Sequence, residues 1–532
     1  MMSDVIVVGS GASAAHAAFA LVEAGRSVTM IDVGYEDSTY QSLVPDAPFA
    51  EIRRTDRQQH RYFLGDDCEG VPLGQLGAGP QVTPPRQYVL RHADKLTPTI
   101  SPDFAALESL ALGGLGGAWG AVSFPYLDNE LVKTGLDPQE MRTHYETVAK
   151  RIGISGDRDD LLPIRGPLDA LQPALDADHN AAAILGRYAP QRDRFQNAGL
   201  YLGRSLLAAL SQPIGDRRAH ALHDMDFWSN AGGSVYRPDL TVRELQTRRN
   251  FRYERGWLVE TFSEDATGAV TIHARRAEGR ETQTFTARRV VLAAGALGTT
   301  RIVLRSLRQY DVPVPLTCNS HTYAPCIHYR GLGKSYRDRC HSLAQLTMIY
   351  DPSGDREHLV QGQLYSYRSL LLFRLMKEAP LPYRENLRVM RALASSFVIW
   401  VIQHEDAPSA DCTCALRRDD TLAISYRPSA EVESRQRAHE RVMMKFMRRL
   451  GCWPLKTVHP GHGSSVHYGS QLPFDRDDKP LTTEPGGRLR GTRQTYIGDG
   501  AAFAYLPAKG LTFTLMANAN RIGTDVARAL QN

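Results

Sequence analysis

The chain has 532 residues, with 63 Lys and Arg against 58 Asp and Glu, a formal net charge of +5, and 17 His. With 42% hydrophobic residues, 44 Gly and 30 Pro, it reads as roughly two to four folded, domain-sized units, which excludes a disordered tail, a collagen-like rod and a coiled coil. The small charge imbalance contains no long Lys/Arg block, so no nucleic-acid partner is expected.

In chain order, the first chemistry-bearing segment runs from Asp4 to Asp32. Val5-Ile6-Val7-Val8 reads as a strand, Gly9-Ser10-Gly11-Ala12-Ser13-Ala14 as a tight turn, the Ala-rich stretch to Ala24 as a helix stopped by Gly25, and Ser27 to Asp32 as a second strand. This is a dinucleotide fingerprint in its structural context. Gly9 makes the turn, Gly11 lets backbone N–H groups approach a pyrophosphate, and Ala14 permits close helix–strand packing. Asp32, about 20 residues on, is placed to accept hydrogen bonds from a ribose. The fingerprint does not separate FAD from NAD.

Leu112-Gly113-Gly114-Leu115-Gly116-Gly117-Ala118-Trp119-Gly120 is a glycine run of the kind needed where backbone packs against something flat or phosphorylated. Arg289 to Gly298 reads as a buried parallel strand ending in the glycine turn Ala293-Ala294-Gly295, with a helix from Thr300. Tyr496-Ile497-Gly498-Asp499-Gly500 follows near the end, and after it a helix containing Thr512-Phe513-Thr514.

Taken together and in this order, these segments resemble the glucose-methanol-choline family of FAD-dependent oxidoreductases, and the resemblance spans essentially the whole chain. It implies an α/β fold: a Rossmann-like FAD-binding domain with a parallel sheet, plus an α+β substrate domain built on an antiparallel sheet. The implied FAD contacts are Gly9, Gly11, Ala14, Asp32, Gly113, Gly114, Gly117, Ala118, Trp119, Ala294, Gly295, Gly498, Asp499 and Thr512. Family members that attach FAD covalently place a His before the Trp; this chain has Ala118, so non-covalent FAD is expected.

The family also places a catalytic His in a turn before the last strand. His459 lies 40 residues before Asp499 and His467 lies 32; the family connector is short, which selects His467, with His462 as the alternative. A second catalytic Asn or His is implied at Gly510, where neither occurs. Lys509 and Asn518 are the candidates nearby, each with a structural alternative as a loop lysine and a helix residue. The implied chemistry is oxidation of a small-molecule alcohol to a carbonyl, with a His base and hydride transfer to flavin N5. The electron acceptor, O₂ or a quinone or other redox carrier, is left open. So are two alternatives: a lyase, or a redox-inactive protein that uses flavin structurally.

The resemblance divides the chain into a discontinuous FAD-binding domain (1–150, 226–310 and 455–532) and a substrate-binding domain (151–225 and 311–454). Runs at Leu346 to Tyr350 and Phe397 to Ile402 suggest an antiparallel sheet walling the pocket. The apolar stretch Leu370 to Lys377, followed by Arg384, Arg388 and Arg391, reads as a lid, a membrane-surface helix or a buried covering helix. No run approaches the ~20 residues of a spanning helix, and no signal peptide is expected at the N-terminus. The seven scattered Cys fit reduced thiols in a cytoplasm. Cys412 and Cys414 are separated by one residue where a metal or redox pair needs two, so no metal site is expected.

Overall fold

The structure, a computed structural model, describes residues 2–70, 82–334, 339–366, 370 and 381–531. Val5, Val7 and Met30 are fully buried, as are Val290, Val291 and Leu292. Strands apolar on both faces need cover on both sides, which a parallel sheet flanked by helices provides. Ser3–Val8 pairs in parallel with Val28–Asp32 on one side (Val7 with Met30) and with Thr282–Leu292 on the other (Val7 with Val291). Val28–Asp32 in turn pairs with Phe251–Arg255.

The strand Thr282–Leu292 joins three neighbours. Its first half pairs antiparallel with Val270–Arg276 and its second half pairs in parallel with Thr495–Ile497. With Trp257–Glu264 on Val270–Arg276, the sheet has seven strands. Gly9 ends the first strand at φ +97°, and a Cβ there would lie 2.5 Å from the Ala293 carbonyl oxygen, so the turn passes directly against the next strand. The helices Ala12–Glu23 and Thr512–Ala529 cross tightly: a Cβ on Gly523 would lie 2.5 Å from the Ala17 carbonyl oxygen.

A second sheet of six antiparallel strands runs Cys452–Pro454, His321–His328, Phe397–Gln403, Val360–Tyr365, Leu346–Tyr350, Leu200–Arg204. Alternation along these strands sorts their side chains. Trp400, Leu364 and Met348 pack with Met443 and Met447 of the helix Ala430–Arg449, while Tyr323, Gln363, Tyr365, Val401 and Gln403 line a cavity between the sheets. A parallel-containing sheet joined by the strands at Val290 and before Gly498, with an antiparallel sheet walling the pocket, is the architecture expected from the sequence.

Leu371 to Lys377, read as a lid or covering helix, lies outside the described residues. Among the described residues no helix is long and apolar enough to cross a membrane.

Candidate active site

A cavity of about 520 Å³ extends from the first glycine turn to the second sheet. Three helices begin at its wall, Ala12–Glu23, Ala296–Ser306 and Thr512–Ala529, and none has a side-chain cap. The N–H groups at such ends are unpaired within the helix and carry partial positive charge, so the cavity suits a ligand rich in anionic or carbonyl oxygen.

Of the residues expected to hold FAD, Gly9, Gly11, Asp32, Gly114, Ala118, Trp119, Ala294, Gly295, Asp499 and Thr512 line this cavity. Four stand behind it. Ala14 is fully buried in the first turn of the helix Ala12–Glu23. A Cβ on Gly113 would lie 3.2 Å from the Asp239 nitrogen, one on Gly117 would lie 3.2 Å from the Tyr88 hydroxyl, and one on Gly498 would meet Val291 at 2.9 Å. These glycines let neighbouring chain pack close to the wall.

The lining suits FAD. At Gly11 the nearest atom to an added Cβ is 4.0 Å away, and at Gly295, φ +84°, nothing lies within 4 Å. Both glycines leave open space where a phosphate and ribose would lie. Burial pushes the Asp32 carboxyl up to about 7, against hydrogen bonds from Ser10 and Tyr253 that favour its charged form. Asp499 is pushed up to about 6 by burial; it accepts from Thr299 Oγ1 at 2.5 Å and from the Ala501 nitrogen at 3.0 Å.

Charged residues gather at one part of the cavity, around the helix Ala296–Ser306. There Arg301 pairs with Glu108 at 2.8 Å, Arg305 with Asp420 at 2.9 Å, and Arg275 with Glu260 at 2.8 Å. The part walled by the second sheet has no charged side chain among the described residues; it is lined by Val122, His321, Tyr323, Gln363, Tyr365 and Gln403, with His467.

Of the three candidate imidazoles before the last strand, only His467 lines the cavity. His462 packs on Tyr426 with ring centroids 5.0 Å apart, and His459 faces Glu440 at 3.2 Å with 54% of its side chain exposed. His467 is held by a strained turn. Val466 before it has φ +61°, a conformation that costs a β-branched residue of order 1–3 kcal/mol. His467 Nδ1 lies 3.2 Å from Asn319 Oδ1 and 3.1 Å from Gln403 Nε2, whereas its Nε2 has no protein partner. Burial pushes its pKa down to about 3, with His321 beside it adding to the shift. The ring is therefore neutral at ordinary pH, as a proton acceptor must be.

Lys509 and Asn518 stand elsewhere. Lys509 is 1% exposed and its ammonium pairs with the buried Glu130 carboxylate at 2.8 Å. Only its main chain reaches the site, its carbonyl accepting from Gln403 Nε2 at 3.2 Å. Asn518 is fully buried in the C-terminal helix and accepts from Arg521 at 2.9 Å. Neither Lys509 nor Asn518 is among the residues that line the cavity. The turn at Lys509 is buried by a partner 379 positions away, and the helix turns Asn518 away from the cavity that Thr512 and Leu515 line.

A second imidazole, overlooked in the sequence, does reach the cavity. His321 begins the strand His321–His328, its ring perpendicular to that of His467 at 5.7 Å, and its buried Nε2 has no hydrogen-bond partner. The alternation of the strand from Thr322 to Ile327 is a signal that places His321 on the Tyr323 face. Nothing local points to His467 across 146 residues.

No family model matches the chain, and no curated protein matches it. Among solved structures it is similar to pyridoxine 4-oxidase from Mesorbium loti, with a TM-score of 0.59, 14% identity and 99% of each chain covered. The chain shares that fold. The likeness extends over the whole length of both chains.

Proposed function

We propose that the protein is an FAD-dependent oxidoreductase that converts an alcohol group of a small molecule to a carbonyl. One observation carries this reading: one cavity connects the glycine turn at Gly9 and Gly11 to an imidazole, His467, whose Nε2 is unpartnered. FAD, when bound, supplies the two-electron acceptor at flavin N5. In the balance of the reaction the substrate loses the hydride on carbon and the hydroxyl proton, and a C=O bond forms.

His467 Nε2 takes the hydroxyl proton, a contribution typically of about 10² to 10⁴ in rate. His321, its ring perpendicular to that of His467 at 5.7 Å, packs beside the base in the cavity wall. Trp119, whose Nε1 donates to the Tyr236 carbonyl at 2.7 Å, is fixed as a flat wall. Ala118 offers no nucleophile, so FAD is held without a covalent bond. The uncharged walls of Tyr323, Gln363, Tyr365 and Gln403 favour a neutral alcohol, either a sugar-like or natural-product alcohol or an aromatic one such as the pyridoxine named for the similar structure. The reduced cofactor is reoxidised by O₂ or by a quinone or other carrier. With seven free thiols, the cytoplasm is the proposed setting.

The visible spectrum of the purified protein, repeated on the supernatant after acid precipitation, tests the cofactor. A flavin band released into the supernatant is expected; a colourless protein that takes up no added FAD ends the reading. An anaerobic alcohol screen that includes pyridoxine then tests the chemistry. Bleaching of the band is expected, slowed at least tenfold by His467→Ala. Turnover of a cyanohydrin without bleaching would instead favour the lyase alternative, which Gly510 leaves without the family's second polar group.

A further inference from the structure

The proton acceptor assigned above must present an unprotonated Nε2, so its single proton must sit on Nδ1. Two amides approach Nδ1 and ask for opposite states. Gln403 Nε2, 3.1 Å away, is a donor fixed in that sense by the Lys509 carbonyl, which it also reaches at 3.2 Å. It favours a bare Nδ1 and thus a proton on Nε2, the tautomer that cannot act as base.

Asn319 asks for the reverse. Its Nδ2 donates to the carbonyls of His404 at 2.8 Å and Pro507 at 3.0 Å, which uses both its hydrogens. Turning the amide over would set its oxygen against those two carbonyls, so the orientation is fixed by its surroundings and Oδ1 faces His467 Nδ1 at 3.2 Å. Asn319 is 2% exposed and Gln403 3%, so an unmade bond on either side would be costly, and it is the charge the ring gains in the reaction that separates the two. As the substrate proton arrives and the ring becomes cationic, Nδ1 carries a hydrogen in any case. The bond to Asn319 then strengthens, while the Gln403 donor faces a positive ring.

We infer that Asn319 is the positioning residue that sets the tautomer of His467, holding the proton on Nδ1 so that Nε2 faces the alcohol unprotonated. This rests on the assignment of His467 as base. Gln403 acts as the opposing donor, and the balance between the two amides decides what fraction of the enzyme is competent.

The test is solid-state ¹⁵N NMR of the holoenzyme with labelled histidine, the His467 signals being those lost in His467→Gln. In the unsubstituted protein a protonated Nδ1 and an unprotonated Nε2 are expected; a proton on Nε2 overturns the inference, whether or not any variant folds. In Asn319→Leu the Gln403 donor is unopposed, so the proton moves to Nε2. Reduction of the flavin by pyridoxine then slows by roughly 10–100-fold, the range typical of removing the hydrogen-bond partner that orients a metal-bound histidine, with little change in half-saturating substrate. A folded Asn319→Leu with unchanged tautomer and rate also overturns it. If His467→Gln reduces flavin as fast as the parent, the functional reading fails instead, and the nitrogen spectrum still decides the role of Asn319.

Discussion

His467 and His321 share a pocket in which burial disfavours charge, pushing them down to about 3 and about 4. The sign for catalysis follows directly. A base that is neutral throughout the ordinary range gives flavin reduction no acid limb at the free imidazole value of about 6.5, and the rate falls only well below it. A stopped-flow pH series that shows a limb near 6.5 would mean that the ring titrates as an exposed one. For stability the consequence is opposite in direction to that of buried acids. Unfolded protein takes up protons on these rings near 6.5, so the stability they allow is complete above that pH and is lost as pH falls toward 4 and 3. Asp32 is the converse case, a carboxyl pushed up to about 7 by burial. Ribose hydroxyls donating to it favour the ionised form, so the dissociation constant of FAD, followed by its fluorescence, rises as pH drops below about 7. In Asp32→Ala binding weakens by about 1.5–3 kcal/mol and loses that pH dependence.

Between elements, close approach decides more than polarity. Gly523 in Thr512–Ala529 sits against the backbone of Ala12–Glu23, an added Cβ lying 2.5 Å from the Ala17 oxygen. Gly523→Leu therefore forces apart the two helices that both open onto the cavity, at a cost of about 1–3 kcal/mol, seen as a lower melting temperature together with weaker retention of the proposed FAD. The Lys509–Glu130 pair fastens the turn before the same C-terminal helix to Asp128–Thr134. Lys509→Met strands a buried carboxylate and destabilises by about 3–5 kcal/mol; since the ammonium does not line the cavity, flavin reduction by the folded fraction stays near the parent rate. These two cases mark what the sequence discloses. Gly9, Gly11 and Asp32 were legible because strand, turn, helix and strand follow within 30 residues, and periodicity reports local geometry. Lys509, Asn319 and His321 were not, because the side chains they meet lie far off in the sequence: Glu130 for the first, His467 for the other two. No spacing rule encodes such meetings.

At the scale of the whole molecule, the cavity is shared property. The seven-stranded sheet supplies Gly9, Asp32 and Ala294, and the six-stranded one supplies Tyr323, Gln363 and Gln403. A ligand that fills it ties the two halves together and, by mass action, stabilises the folded state by about 2.7 kcal/mol at a hundredfold excess over its dissociation constant. Differential scanning fluorimetry with added FAD should therefore raise a single transition. If only one of two separate transitions moved, cofactor binding would involve one half alone.

The strand Thr282–Leu292 has a consequence for how such a protein is made. It holds Ser3–Val8 along one edge and Thr495–Ile497 along the other, so Ser3–Val8 gains its second neighbour only from a strand nearly 280 residues later, and that strand gains Thr495–Ile497 only about 200 residues beyond. Until then the glycine turn has a helix behind it but no floor, and contacts this far apart in sequence are slow to close. Capture of the proposed FAD would thus come late in biogenesis, and a nascent chain stalled before Thr495 would expose apolar strand edges to chaperones with that site still unfinished.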